Sequence, residues 1–359
     1  VVVAAGAVTG ALLPGQGHEV EVAARAAARV VAVVHAEQAD HLEGDRAHRH
    51  EGAEGDPAGA EALVERGGLE RAEPGLGGDV ERQLGLEAGL VAEGSRNQRY
   101  DRFRDRIMFP IADADGFIVG FGGRALSGNT PKYLNTGETR IFQKGEILYG
   151  EWQARQSIAQ TGEVVVVEGY LDVLAVAQLG AGNAVAPMGT ALTTQQAKRL
   201  ISLAPLLLFA FDGDAAGQDA ALRAADAVLP FVDRGSGVGV ITMPEGEDPD
   251  SLLRSDRASQ WQERLNAPVA LIPYLLDVAS QRFPGSHPEA TAGRGQFLAE
   301  RLALIADERT KSDATAFVAA ALGMRSQVML EHVDSLLRRG AERRYQGARH
   351  GGHVIDRAA

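Results

Sequence analysis

Apolar positions along this chain follow two periods. Between residues 163 and 242 they come in short unbroken runs: VVVV at 164–167, AVAP at 184–187, LLLFAF at 206–211 and VGVIT at 238–242. Such a run predicts a strand buried on both faces, as in a parallel sheet. Between the runs the apolar residues return at helical spacing. Val173–Leu179 predicts a helix ended by Gly180, Thr193 and Thr194 cap another that runs to Leu203, and Gln218–Val232 predicts a third. Strands alternating with helices at these lengths predict a parallel sheet covered by helices, an α/β fold.

Outside that block the pattern changes. Ile107–Ile111 and Phe117–Phe121 flank Asp113-Ala114-Asp115-Gly116, a turn sequence, and predict a β-hairpin. Glu151–Ala159 suits a helix. Beyond residue 257 only helical patterning is found, from Leu265, Leu271 and Leu275 to Val333, Leu336 and Leu337. The expected organisation is a basic segment at 100–160, a parallel α/β domain at 161–257, a small helical subdomain at 258–339 and a tail at 340–359.

Composition sets residues 1–99 apart. They contain no Phe, Tyr, Trp, Ile, Met or Lys, and five of the nine histidines: His18, His35, His41, His48 and His50. With so little to bury, the segment is expected to be disordered or to come from GC-rich DNA read in the wrong frame. Val20–Val34 suits a helix from its alanine content. Cysteine is absent, which excludes disulfides and thiolate metal sites. The net charge of −12 gives no bulk pull toward nucleic acid, though a local basic face is compatible with it. No apolar run reaches the roughly 20 residues that cross a membrane, and Val1–Leu13 lacks the basic start of a signal peptide.

The candidate chemistry lies at the ends of the predicted strands. Glu168 ends one and is followed by Asp172 in the next helix's first turn. Asp212 and Asp214 end another, and Asp248 and Asp250 follow a third. Strand ends of a parallel sheet open onto one crevice. Carboxylates gathered there repel one another unless cations neutralise them. An all-oxygen set favours Mg²⁺ or Mn²⁺ bridging substrate phosphates and disfavours zinc. This implies phosphoryl or nucleotidyl transfer, or phosphodiester cleavage. Asp250, at a helix start, serves equally as an N-cap.

Upstream lie Arg102, Arg104, Arg106, Arg124, Lys132, Arg140 and Lys144, with tyrosines among them. Interleaved cations and aromatics suit a single strand of nucleic acid or nucleotide phosphates, and a solvated basic face has the same composition. The paired glycines before Arg124 let the backbone approach a ligand closely, and an exposed arginine beside a turn reads the same way.

Glu at one strand end and Asp-x-Asp at another resembles the toprim fold of primases, topoisomerases and some nucleases. With RFRDRIMFPI, VGFGGR, TPKYLN, LYG, VVEGYLDV, FDGDAAG and GEDPDSLL in this order, residues 100–340 closely resemble bacterial DnaG-type DNA primases. The resemblance implies a toprim-type parallel sheet and a cytoplasmic enzyme that makes short RNA primers. Its template would be single-stranded DNA, its substrates ribonucleoside triphosphates and its partner a replicative helicase. Glu168, Asp212 and Asp214 would form the metal site, extended by Asp172, Asp248 and Asp250. Glu168 is open to a role as ligand or as general base. Arg124, Lys132, Tyr133, Asn135 and Lys144 would hold template or triphosphate. The family's zinc module, the first half of its polymerase core and its helicase-binding domain are expected to be missing. A topoisomerase would need a nucleophilic tyrosine, and Tyr170 sits inside the acidic motif. A toprim nuclease would lack the GFGGR and PKYLN segments.

Overall fold

A computed structural model of the chain describes residue 83 and residues 85–95, 98–125, 131–178, 181–189, 191–254 and 258–351. The helix expected at 20–34 and the five early histidines lie outside these. The chain divides into two units, residues 1–143 and 144–359.

The first unit is antiparallel. Strand β1 (Val91–Glu93) pairs with β2 (Arg99–Asp101). Strands β3 (Arg106–Ala112), β4 (Ile118–Ala125) and β5 (Tyr133–Asn135) form a second sheet in the order β3-β4-β5. The hairpin predicted for β3 and β4 is present. Its turn closes because the Asp113 carboxylate accepts from the amides of Asp115 and Phe117, at 3.0 and 2.9 Å, while Gly116 takes a φ of 92°. Strand β5 is an addition to the expected elements. A small core gathers Leu90 and Phe121 with Phe103, Met108 and Ile118.

That core corrects the boundary expected at residue 99. Leu90 and Val91 are buried, and β1 is paired in register with Arg99–Asp101. The last part of the biased segment is therefore folded. Its few apolar side chains suffice because the rest of their core comes from residues 103–121.

The second unit opens with β6 (Leu148–Tyr149) and α1 (Glu151–Thr161). Then come β7 (Glu163–Val166), α2 (Tyr170–Gln178), β8 (Ala184–Pro187), α3 (Thr194–Leu203), β9 (Leu206–Phe209), α4 (Ala215–Val228) and β10 (Gly237–Val240). The helices α5 (Pro249–Arg254) and α6 (Ala258–Leu265) lead to β11 (Val269–Ala270). Four more follow: α7 (Leu271–Arg282), α8 (Pro288–Leu302), α9 (Glu308–Ala321) and α10 (Ser326–Gly351). The sheet order is β11-β10-β9-β7-β8-β6. Its four central strands are parallel, and β11 and β6 are antiparallel edges. The predicted α/β sheet with flanking helices is thus present, with β6 and β11 added to it.

Burial explains the uninterrupted runs. Val164, Val165, Val166 and Val167 of the β7 stretch and Leu207, Leu208 and Phe209 of β9 are all 0% exposed. Alternate side chains point to opposite faces, so both faces are covered. One core cluster runs from Val164, Val166, Leu207 and Phe209 through Leu275, Phe297 and Val318 to Val333. The helices after residue 257 share this core with the sheet, rather than building one of their own. Helix α10 also corrects the tail expected at 340. Ala, Glu, Arg and Gln there are good helix formers, and the helix runs on to Gly351.

The boundary expected at 160 falls instead after Gln143. Buried Gln196 of α3 explains this. Its side-chain amide donates to the carbonyls of Lys144 and Ile147 at 2.9 and 2.8 Å, and its carbonyl oxygen accepts from the amide of Thr193 in a capping box. Residues 144–147 are thereby tied to the parallel sheet's helices. Gln196→Ala leaves two buried carbonyls without a donor and should destabilise the chain by about 1–3 kcal/mol. Urea unfolding followed by circular dichroism measures this, and an unchanged midpoint would remove Gln196 from that role.

Candidate functional site

The strand order reverses between β7 and β9. From β7 the chain crosses to β8 on one side, then returns past β7 to place β9 on the other. Helices leaving neighbouring strands in opposite directions leave a crevice beyond the strands' carboxyl ends. Glu168 follows β7 and Asp212 follows β9, so both stand at this crevice. They are joined directly: the main-chain amide of Asp212 donates to Glu168 Oε1 at 3.0 Å.

Helix α4 begins here. Asp214 is its N-cap, and Asp214 Oδ1 accepts from the amide of Gly217 at 2.8 Å. One oxygen of that carboxylate serves the helix start, where negative charge is favoured. The loop after β10 lies against the Asp212–Asp214 loop with no clearance. A Cβ on Gly213 would stand 1.9 Å from the carbonyl oxygen of Pro244, and one on Gly217 2.1 Å from that of Asp212. Glycine at these positions permits the approach. The amide of Gly213 completes it by donating to the carbonyl of Glu247 at 3.0 Å.

The second loop fixes Asp248. The Asp248 carboxylate accepts from the amide of Ser251, and Ser251 Oγ accepts from the amide of Asp248 at 3.0 Å. Ser251 Oγ also donates to Glu247 Oε2 at 2.7 Å. This is a reciprocal cap on α5, whose first residue is Pro249. Glu247, Ser251 and Gly213 are supporting residues that the sequence reading passed over. Asp248 followed three residues later by Ser251, just before an apolar pair, was the signal for the cap.

Burial and the neighbouring acids act together on Asp212. Asp212 is pushed up from its ordinary 3.8 to about 6, first by partial burial and then by the charges of Glu168, Asp248 and Asp214. Asp172 is placed differently. Its Oδ2 accepts from the amide of Gly169 at 3.1 Å, so it braces the loop that carries Glu168. Asp250 lies in the first turn of α5, and its side chain is outside the described residues. Among the described residues, no three or more acidic or histidine side chains lie close enough together to hold a metal ion between them. The crevice holds separated carboxylates, a donor set suited to a hard cation that keeps waters and shares substrate oxygens.

The basic residues fall in both units. In the first, Arg124 and Tyr133 are cross-strand partners on β4 and β5. The Arg124 guanidinium stands 5.8 Å and the Lys132 ammonium 5.7 Å from the Tyr133 ring centre. Tyr133 is 39% exposed. Asn135, two residues on, shares the Tyr133 side of the strand. Its carbonyl accepts from Arg102 Nε at 3.0 Å. The structure thus brings Arg124, Lys132, Tyr133 and Asn135 onto one short stretch of sheet. Lys144 belongs to the other unit, where its carbonyl is held by Gln196.

Known proteins resemble both units. The family described as DNA primase catalytic core, N-terminal domain, matches residues 76–155, and the Toprim-like family matches residues 165–253. The first match begins inside the biased segment, which corrects the expectation that nothing before Tyr100 resembles the primase core. A DNA primase of Pseudomonas aeruginosa is 51% identical over 192 residues, covering 53% of this chain and 29% of that protein. The DNA primase of Escherichia coli is 40% identical over 218 residues, covering 60% of this chain and 38% of that protein. The chain therefore spans about a third of the length of these relatives. Among solved structures, a DNA primase domain from Pseudomonas aeruginosa superposes with a TM-score of 0.68 at 40% identity, covering 72% of this chain and 81% of that one. A DnaG primase catalytic domain bound to single-stranded DNA superposes with a TM-score of 0.64 at 36% identity, covering 70% and 79%.

The raised Asp212 has a consequence for stability. Its folded pKa lies above its unfolded value, so the folded chain binds this proton more tightly. In metal-free protein the group therefore lowers stability as pH rises from about 4 to about 6, and the loss stays constant above that. Asp212→Asn removes the effect. In chelator at pH 7–8 the variant should be more stable by about 1 kcal/mol, after discounting for screening by water. Near pH 4 the two should coincide. Urea midpoints across pH measure the difference, and a variant less stable at pH 7 would contradict this picture of the crevice.

Proposed function

The chain belongs to the family of DnaG-type DNA primases, and on that premise we propose that it carries the catalytic face for primer synthesis. The reaction is metal-dependent nucleotidyl transfer. A primer 3′-oxygen bonds to the α-phosphorus of a ribonucleoside triphosphate, the hydroxyl proton leaves, and pyrophosphate departs. The observation that supports this most is the junction of Asp212 with Glu168 at the switch between β7 and β9, with Asp214 and Asp248 close enough to raise the Asp212 pKa.

Primases of this family work with a divalent metal, and the residues present fit one. Glu168, Asp212, Asp214 and Asp248 offer only carboxylate oxygen, and their mutual repulsion calls for a counter-charge. We assign them as ligands of Mg²⁺ or Mn²⁺ rather than zinc. Bound there, the cation supplies a Lewis acid that eases ionisation of the hydroxyl and neutralises the triphosphate. The protein's own contribution is placement. The Asp212 amide orients Glu168, the Gly217 amide orients Asp214, and Ser251 orients Asp248. Asp172 and Asp250 are assigned supporting places on the loops that carry these ligands. Glu168 is also open to a second role, accepting the hydroxyl proton.

Template binding is assigned to the basic face. Tyr133, flanked by Arg124 and Lys132, offers a base a stacking surface and its phosphates two cations. Asn135 adds a polar group on the same strand, and Lys144 is assigned to the triphosphate. A replicative helicase, the partner expected for the family, is given no surface.

Incubating the chain with single-stranded DNA, labelled ribonucleotides and Mg²⁺ or Mn²⁺ tests the proposal. Short RNA products support it. Binding without products would show that the catalytic machinery in this chain is incomplete, and cleavage of the template would show a nuclease. Asp212→Asn and Asp214→Asn should each reduce synthesis by about 100-fold or more while keeping the fold. Near-normal synthesis by either would refute the ligand assignment. Lys132→Ala should weaken binding of single-stranded DNA and make log K against log salt shallower by about 0.7. An unaltered slope would take Lys132 off the phosphates.

A further inference from the structure

By composition Arg106 is one more cation in the basic segment. By structure it is not on a basic face at all, being only 7% exposed. A buried guanidinium needs oxygen partners, and here main-chain carbonyls supply them. Arg106 Nη1 donates to the carbonyl of Gly123 at 3.2 Å and to that of Lys132 at 3.4 Å. These two residues immediately precede Arg124 and Tyr133, which face each other across β4 and β5. One nitrogen therefore bridges the two strands a single residue away from the arginine–tyrosine pair.

Strand β5 is short, and Thr136 directly after it extends its hold on β4, its amide donating to the Phe121 carbonyl at 2.8 Å and its hydroxyl accepting from the Phe121 amide at 2.9 Å. The strand is three residues long and pairs with β4 through three residues. Its first carbonyl neighbour, that of Lys132, accepts both the Ala125 amide at 2.9 Å and Arg106. Its last, that of Asn135, accepts from Arg102. The Arg106 stem lies flat against Gly123. A Cβ there would meet Arg106 Cδ at 3.0 Å and the Phe103 ring at 2.8 Å.

We propose that Arg106 is a positioning residue: without touching the strand it holds Arg124, Lys132 and Tyr133 in the register that binds single-stranded nucleic acid. This rests on the basic face being the template site. A residue that acts through others has a distinct signature. A phosphate contact contributes its own increment to affinity and salt slope, whereas a positioning residue acts through the cations it places, so its effect shrinks when one of them is removed.

The test uses the full chain and a fluorescent oligothymidylate across a salt series. Arg106→Met should bind about tenfold more weakly, equivalent to about 1.4 kcal/mol, and the same substitution added to Lys132→Ala should cost clearly less. Arg106→Lys keeps the charge and can reach one carbonyl, so it should recover part of the loss. Normal binding by Arg106→Met overturns the proposal. So does an undiminished tenfold loss on top of Lys132→Ala, because Arg106 would then act independently of the cation it places. If circular dichroism shows that Arg106→Met is unfolded, Gly123→Ala decides. Its Cβ crowds the Phe103 ring and the arginine stem together while keeping every cation, and it should weaken binding. Unaltered binding by that variant overturns the proposal. If Lys132→Ala changes neither affinity nor slope, the face is not a nucleic-acid site and the positioning role falls with it. Weak binding by Lys132→Ala beside normal binding by Arg106→Met leaves the site standing and removes Arg106 alone.

Discussion

Carboxylates brought to one end of the parallel sheet are the constraint around which the second unit is built. Glu168, Asp212, Asp214 and Asp248 would separate if side-chain freedom alone decided their places. Main-chain amides prevent this. The amides of Asp212, Gly217 and Ser251 each hold one carboxylate, and the amide of Gly213 locks the two loops together. Each amide lies next to a strand end or helix start, where an unpaired donor is available. The geometry of the acids is thus fixed by the sheet's topology and by loops with no room for a Cβ at Gly213 or Gly217. Burial first, and the charges of Glu168, Asp248 and Asp214 after it, push the Asp212 carboxyl above its ordinary range.

The first unit solves the opposite problem, gathering cations on a thin sheet with a very small core. Its arginines divide into two kinds. Arg124 lies beside the exposed Tyr133 ring, whereas Arg102 donates to the carbonyl of Asn135 in β5 and Arg106 to those of Gly123 in β4 and Lys132 just before β5. The same residue type thus supplies both a cation beside an exposed ring and the staples beneath it. Arginine suits both tasks, since its planar fork carries five donors and stays charged when buried.

The parallel core was legible because its signal is local and periodic. Four apolar runs bounded by glycine, acid or helix-capping residues leave few other structures. The acids were legible as residue types at strand ends. What the pattern did not carry was anything made by distant pairing. Strands β5, β6 and β11 have two or three residues each and exist only because a neighbouring strand receives them. The end of the biased segment folds for the same reason, since Leu90 packs with Phe103, Met108, Ile118 and Phe121 and Val91 pairs with Asp101. In the site, Asp172 was read as a ligand because it lies four residues after Glu168. The hydrogen bond that turns it toward Gly169 depends on a loop shape that spacing does not reveal. Arg106 was counted with the surface cations, because burial of an arginine by backbone oxygens leaves no mark on the hydrophobic period.

The two edges of the six-stranded sheet have a bearing beyond the site. Each is closed by an antiparallel stub, Val269–Ala270 on one side and Leu148–Tyr149 on the other. A long apolar edge would offer a row of unpaired amides and carbonyls to any extended chain nearby. Edges two residues long present almost no such template. The Val- and Leu-rich strands that position the acids can therefore stay densely apolar without making the protein a seed for its own aggregation.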